Sequence, residues 1–198
     1  MIEHDKFVYI HFPKTGGSKL SEILASIPGA VRNPEHHHFS IEDRKSAEPG
    51  WDVGDRMVIV GFRRLPSWLL SRYSFEVYRS PGQAQDPTLL EQGRFIEETG
   101  EPGYADLYAR KWISPGLYKN HKVKFLRQEH LAQDFASIFS DLVDISAIDL
   151  RSKVNSVKPD IGAASRIALN QDKIYRECPY WAGLEFIVYG SILCHPQP

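Results

Sequence analysis

Residues 6–20, KFVYIHFPKTGGSKL, constrain this 198-residue chain more than any other stretch. An apolar, β-rich run breaks at Pro13, continues into Lys14, Thr15, Gly16, Gly17 and Ser18, and then into residues that suit a helix. A loop leading from a parallel strand into a helix presents unpaired backbone N–H groups and the positive end of the helix dipole. Gly16 and Gly17 let the backbone approach an anion closely and adopt positive φ where needed. Ser18 can cap the helix or give its hydroxyl to a phosphate, and Lys14 adds a mobile charge with three donors. The stretch has the build of a phosphate cradle.

Two more β-rich runs follow, RMVIVGF (56–62) and KVKFLR (122–127), and a short strand is expected near residues 30–32. The first two long runs are nearly continuous in apolar residues, as strands buried on both faces of a parallel sheet should be. Each of the three is followed by a helical pattern, over 17–26, 66–79 and 128–140. Strand then helix, three times, predicts an α/β fold with a mainly parallel central sheet flanked by helices. The C-terminal third, AASRIALNQDKIYREC and YWAGLEFIVYGSIL, reads as helices packing over that sheet. Between them and the third run lies a polar loop, VNSVKPDIG (154–162), and RSPGQAQDP (79–87) reads as an exposed excursion. With no repeat, low-complexity tract or internal boundary, residues 1–198 are expected to form a single domain, large enough to need no disulfide or metal staple.

Composition narrows the partners. Hydrophobic residues make up 42% and charged residues 25% of the chain, and the net charge is −1. That balance argues against a general nucleic-acid or membrane-surface binder, so any cationic site is local. Cys178 and Cys194 read as buried or idle thiols. No apolar run approaches the ~18 residues a spanning helix needs. The start, MIEHDKFVYIHF, is too charged and too short for a signal peptide, so a cytoplasmic location is expected.

Nucleotide triphosphatases and kinases carry the loop G-x-x-x-x-G-K-[ST]. Here the lysine precedes the glycines, the first glycine is missing, and Gly17-Ser18-Lys19 reverses the ending. No obvious acidic strand end for magnesium follows. A plain Gly-Gly turn with an incidental lysine is the blander reading, and the strand before and the helix behind weigh against it.

PKTGGS after a β-strand resembles the 5′-phosphosulfate loop of sulfotransferases, especially the carbohydrate type, whose loop commonly reads Pro-Lys-Thr-Gly-Gly-Thr-Ser. The resemblance implies a P-loop-like three-layer fold and the donor 3′-phosphoadenosine-5′-phosphosulfate, with no metal. Lys14, Thr15, Gly16, Gly17 and Ser18 would hold its 5′-phosphate and sulfuryl group. Lys19 stands where the family often has a hydroxyl, and puts a second cation beside the anion. The second β-run ends in VGFRRLPSWLLSRYSF (60–75). In the family, the corresponding strand ends in an arginine, and a serine eight residues later joins it in binding the donor's 3′-phosphate. Arg63 and Ser71 have this spacing. Pro66 falls one place later than usual, so a frame using Arg64 stays open. Guanidinium matches phosphate bidentately, and a hydroxyl on the following helix completes such a pocket.

Sulfuryl transfer to a hydroxyl needs a base at the attacking oxygen and a cation at the bridging oxygen of the leaving phosphate. Lys14 suits the second role. For the first, NPEHHHFSIEDRK (33–45) lies between the two anion motifs, and histidine is readily poised as a base near neutral pH. Family members often carry a histidine here, two residues before Ser or Thr. His38 with Ser40 as a helix cap fits best, and His36 and His37 remain candidates. A metal reading of three adjacent histidines is poor, because successive side chains diverge. Within FLRQEHLAQDF (125–135), Glu129 is either a helix-start carboxylate or an active-site one, and Asn155 and Lys158 fall in a loop that in the family closes over the donor. The implied acceptor is a hydroxyl, with a sugar or glycoconjugate favoured and a lipid or small alcohol open. The alternatives are a nucleotide-dependent P-loop kinase and a non-catalytic module that binds adenosine bisphosphate.

Overall fold

The computed structural model describes residues 1–79, 86–97, 99–146, 148 and 168–192. In chain order the elements are β1 (Ile2–Glu3), β2 (Phe7–Ile10), α1 (Gly17–Ala25), β3 (Val31–Arg32), α2 (Ile41–Ala47), β4 (Met57–Phe62) and α3 (Leu65–Arg79). Next come β5 (Arg94–Ile96), β6 (Pro102–Tyr104), α4 (Ala105–Trp112), α5 (Pro115–Asn120), β7 (Val123–Arg127) and α6 (Leu131–Phe139). The last two are α7 (Gln171–Glu177) and α8 (Pro179–Tyr189). The chain divides into two compact units, Met1–Arg63 with Trp112–Ser156, and Arg64–Lys111 with Val157–Pro198.

The first unit holds a five-stranded sheet in the order β3-β1-β2-β4-β7. The three long runs of the sequence are β2, β4 and β7, and they are parallel, with Tyr9 opposite Ile59 and Val60 opposite Phe125. The mixed α/β architecture with a mainly parallel sheet flanked by helices is therefore present. The short strand expected near 30–32 is β3, but it is an edge strand, antiparallel to the unforeseen β1. Two-residue strands carry no periodic signal, which is why β1 escapes a reading of the sequence.

All four residues of β2 are buried. Phe7, Tyr9, Ile59 and Leu126 of the sheet form one apolar cluster with Leu20, Ile23 and Leu24 of α1 and Phe135 and Phe139 of α6. At nine residues and without a side-chain cap, α1 would be marginal in isolation. Burying Leu20 and Leu24 contributes about 1.5–3 kcal/mol each and outweighs that weakness. The helix expected over 128–140 opens as a 3-10 turn, Gln128–His130, and becomes α-helical only at Leu131. The Asp134 carboxylate reaches back to the backbone N–H of Arg127 at 2.8 Å and to its guanidinium at 2.6 Å, which tightens the turn between strand and helix.

The second unit contains the antiparallel pair β5–β6 with α3, α7 and α8. Its centre is the fully buried Trp68, whose ring lies 5.2 Å from Phe95, 5.4 Å from Tyr108 and 4.8 Å from Trp181. The helical reading of the C-terminal third is met over α7 and α8, which break at Cys178-Pro179. Burial, with Asp106 and Glu177 nearby, pushes the Cys178 thiol up to about 12, so it is an inert core residue. Cys194, Asn155, Lys158 and residues 80–85 lie outside the described residues. Among the described residues no helix is long and apolar enough to cross a membrane.

Candidate functional site

Because β2, β4 and β7 are parallel neighbours, the segments that follow them leave the same carboxyl edge of the sheet. Open α/β sheets place their ligands at that edge. The segment after β2 is the expected cradle. Lys14 has φ 67°, the one non-glycine residue at positive φ among the described residues, and Gly16 has φ 80°. A left-handed lysine costs about 1–2 kcal/mol, so the surroundings must hold it. Thr15 supplies part of that hold. It is fully buried, and its Oγ1 donates to the Phe12 carbonyl at 2.6 Å. A Cβ on Gly61 of β4 would lie only 2.5 Å from that hydroxyl oxygen. Its hydroxyl is thereby spent inside the fold.

Gly16 is itself the N-cap of α1, with no side-chain cap bond. Of the two roles open to Ser18, capping is therefore corrected: Gly16 takes that position, and Ser18 lies exposed in the first turn. Lys19 is half-buried one residue further on. Gly16 is favoured by its positive φ, and Gly17 is required by close approach of the buried His11 ring. A Cβ on Gly16 would lie 2.1 Å from Gln128 Oε1, and one on Gly17 would lie 1.8 Å from His11 Cδ2 and 2.1 Å from His11 Nε2. Gln128 and His11 thus press on the cradle from the ends of β7 and β2. The sequence reading passed over both. For His11 the available signal was a polar residue just past a wholly buried strand; Gln128, which follows Arg127 at the end of the mixed strand β7, carries no such signal.

The two arginines after β4 separate. Arg63 Nη1 lies 3.4 Å from the Lys14 carbonyl oxygen, so this guanidinium reaches the cradle. Arg64 belongs to the second unit and is engaged there. Its Nη1 donates to Glu185 Oε2 at 3.2 Å and to the Ser191 carbonyl at 3.1 Å, and its guanidinium sits 4.1 Å over the Tyr189 ring. Glu185 is fully buried, and also accepts from the Leu65 N–H and the Tyr175 hydroxyl. Burial raises its carboxyl despite those partners. Ser71 is half-buried on α3 of the second unit.

The histidine segment is set by two caps. Asn33 Oδ1 accepts from the Glu35 N–H at the start of a 3-10 turn, Pro34–His36. Ser40 caps α2 in a reciprocal pair with Asp43, as expected of it. Between these caps the three imidazoles part company. His36 stacks on Phe39 at 4.6 Å. His37 Nε2 lies 2.9 Å from His11 Nδ1. His38 is exposed, its ring 4.4 Å from His37 and 4.7 Å from His11. The premise that successive histidines diverge thus holds for His36 alone; His37 and His38 converge on His11, which the premise did not consider. Burial, with the neighbouring imidazoles, pushes His11 down to about 2, and burial with His38 pushes His37 down to about 4. Both are neutral at physiological pH. Glu129 is exposed in the 3-10 turn ahead of α6, which matches the helix-start reading.

The chain matches no family model, no curated protein and no solved structure.

Proposed function

We propose that this protein is a sulfotransferase on a P-loop-like α/β fold. It transfers a sulfuryl group from 3′-phosphoadenosine-5′-phosphosulfate to a hydroxyl of a sugar, glycoconjugate or other small alcohol. The observation that carries this reading is the meeting of two candidate anion-binding elements at adjacent parallel strand ends, where Arg63 Nη1 lies 3.4 Å from the Lys14 carbonyl. A donor with phosphates on both its 5′ and 3′ oxygens needs two such elements. The cradle backbone, Lys14, Ser18 and Lys19 take the 5′-phosphosulfate, and Arg63 takes the 3′-phosphate.

The acceptor oxygen attacks sulfur while its proton passes to the His38 imidazole, which is exposed and so reachable by an acceptor. The bond from sulfur to the 5′-phosphate oxygen breaks, and its electron pair stays on that oxygen beside the Lys14 ammonium. Adenosine 3′,5′-bisphosphate leaves. No step uses a metal. Calorimetry tests the donor assignment: adenosine 3′,5′-bisphosphate should bind without divalent metal and far more tightly than ATP. Equal affinities, or a strict magnesium requirement, would favour a kinase instead.

A further inference from the structure

We propose that His11, His37 and His38 form a binding site for a divalent transition metal of the zinc class. Each contributes one ring nitrogen, and these three atoms lie within 4.8 Å of one another. Imidazole nitrogens bind zinc at about 2.0–2.1 Å, which puts two ligand atoms of a tetrahedral ion ~3.3 Å apart. The His11 Nδ1 and His37 Nε2 pair is at 2.9 Å, so a small opening of that pair admits an ion. His38, exposed on the turn before Ser40, is the ligand with room to swing inward.

The nitrogen used by His11 is selected by packing. Its Cδ2–Nε2 edge is pressed against Gly17 at the start of α1, which leaves Nδ1 facing His37. Without an ion, two neutral imidazoles share one hydrogen between His11 Nδ1 and His37 Nε2. An ion takes a lone pair from each, leaving the ring protons on His11 Nε2 and His37 Nδ1. Three neutral nitrogens without a carboxylate or thiolate suit zinc, copper or nickel, and give magnesium or calcium nothing they prefer. His38 leaves one side of the set open to solvent, so a fourth position is available to water. On the sulfotransferase reading, the ion occupies the lone pair of the base and inhibits transfer. That consequence rests on the reading; the binding site does not.

Zinc titration of the full chain, followed by calorimetry, tests the site, with cobalt as a spectroscopic substitute that reports imidazole coordination by its visible absorption. One ion per chain is expected. His38→Ala and His11→Phe should each weaken binding by at least ~10-fold, since even outer-shell partners of metal ligands are worth about 10–100-fold. His36→Ala, whose ring stacks on Phe39, should leave it unchanged. His38→Ala removes an exposed side chain and so keeps the test independent of any folding defect in His11→Phe. No saturable binding overturns the proposal. So does a loss in His36→Ala equal to that in His38→Ala, which would mean that the run of histidines chelates by itself. Because no donor is present in the titration, failure of the sulfotransferase assignment leaves this result intact, and the reverse also holds.

Discussion

Arg63 and Arg64 carry the same charge one residue apart, and their surroundings give them different tasks. Arg63→Ala should weaken adenosine 3′,5′-bisphosphate by ~1.5–3 kcal/mol, the worth of a hydrogen bond to a charged group. Adenosine 5′-phosphosulfate, which lacks the 3′-phosphate, should be almost indifferent to the change. Arg64→Ala should leave both affinities near normal and lower stability by about 1–3 kcal/mol, because the buried Glu185 carboxylate loses a partner. Titration of both ligands and a urea melt on each variant check this; a selective affinity loss in Arg64→Ala would reverse the assignment. On the proposed sulfotransferase reading, Lys14 and His38 divide the chemistry. Lys14→Ala should lower kcat by ~10²-fold or more, with a smaller effect on product binding, because the loop amides remain. His38→Ala should cost ~10²–10⁴-fold in kcat and leave donor affinity nearly unchanged. Normal turnover in His38→Ala would pass the role to His37 or His36, and then to Glu129.

At the scale of elements, the junction of β7 and α6 is the clearest electrostatic unit. Burial pushes the Asp134 carboxyl up, but hydrogen bonds from the Arg127 side chain and backbone, with its charge, outweigh this and hold it below the usual range. An aspartate pKa lowered from its unfolded value of about 3.9 lends stability above that pH, and the stability is lost as pH falls through the folded value. Asp134→Asn should therefore be less stable than the parent at neutral pH, with the gap closing below about pH 4. Urea midpoints measured from pH 7 to pH 2 would expose a parallel offset, which would sink the account. The strand–loop–helix order of β2 and α1 was legible because apolar continuity, Pro13 and the Gly-Gly pair all point the same way. The 3-10 opening of α6 was not, since it depends on a carboxylate seven residues from Arg127 turning back to cap the strand.

For the whole molecule, the chain divides into two compact units, each assembled from two stretches of sequence. Arg63 closes one stretch and Arg64 opens another, which is why neighbours in sequence serve different surroundings. The sequence by itself determined the three parallel strands, the glycine loop from strand to helix at Lys14–Ser18 and the capping of α2 by Ser40. Those follow from local patterns: apolar continuity, glycine's access to positive φ, and a hydroxyl placed three residues before an aspartate. Only the tertiary structure placed Arg63 beside the Lys14 carbonyl and Arg64 on Glu185, buried the Thr15 hydroxyl under Gly61, and set Gln128 against Gly16. It alone brought His11 to His37 and His38, twenty-six and twenty-seven residues away. Such contacts are fixed by which strand lies beside which and by the space left between their ends. A one-dimensional pattern carries no distance between residues so far apart, so the converging histidines become visible only once the sheet is assembled.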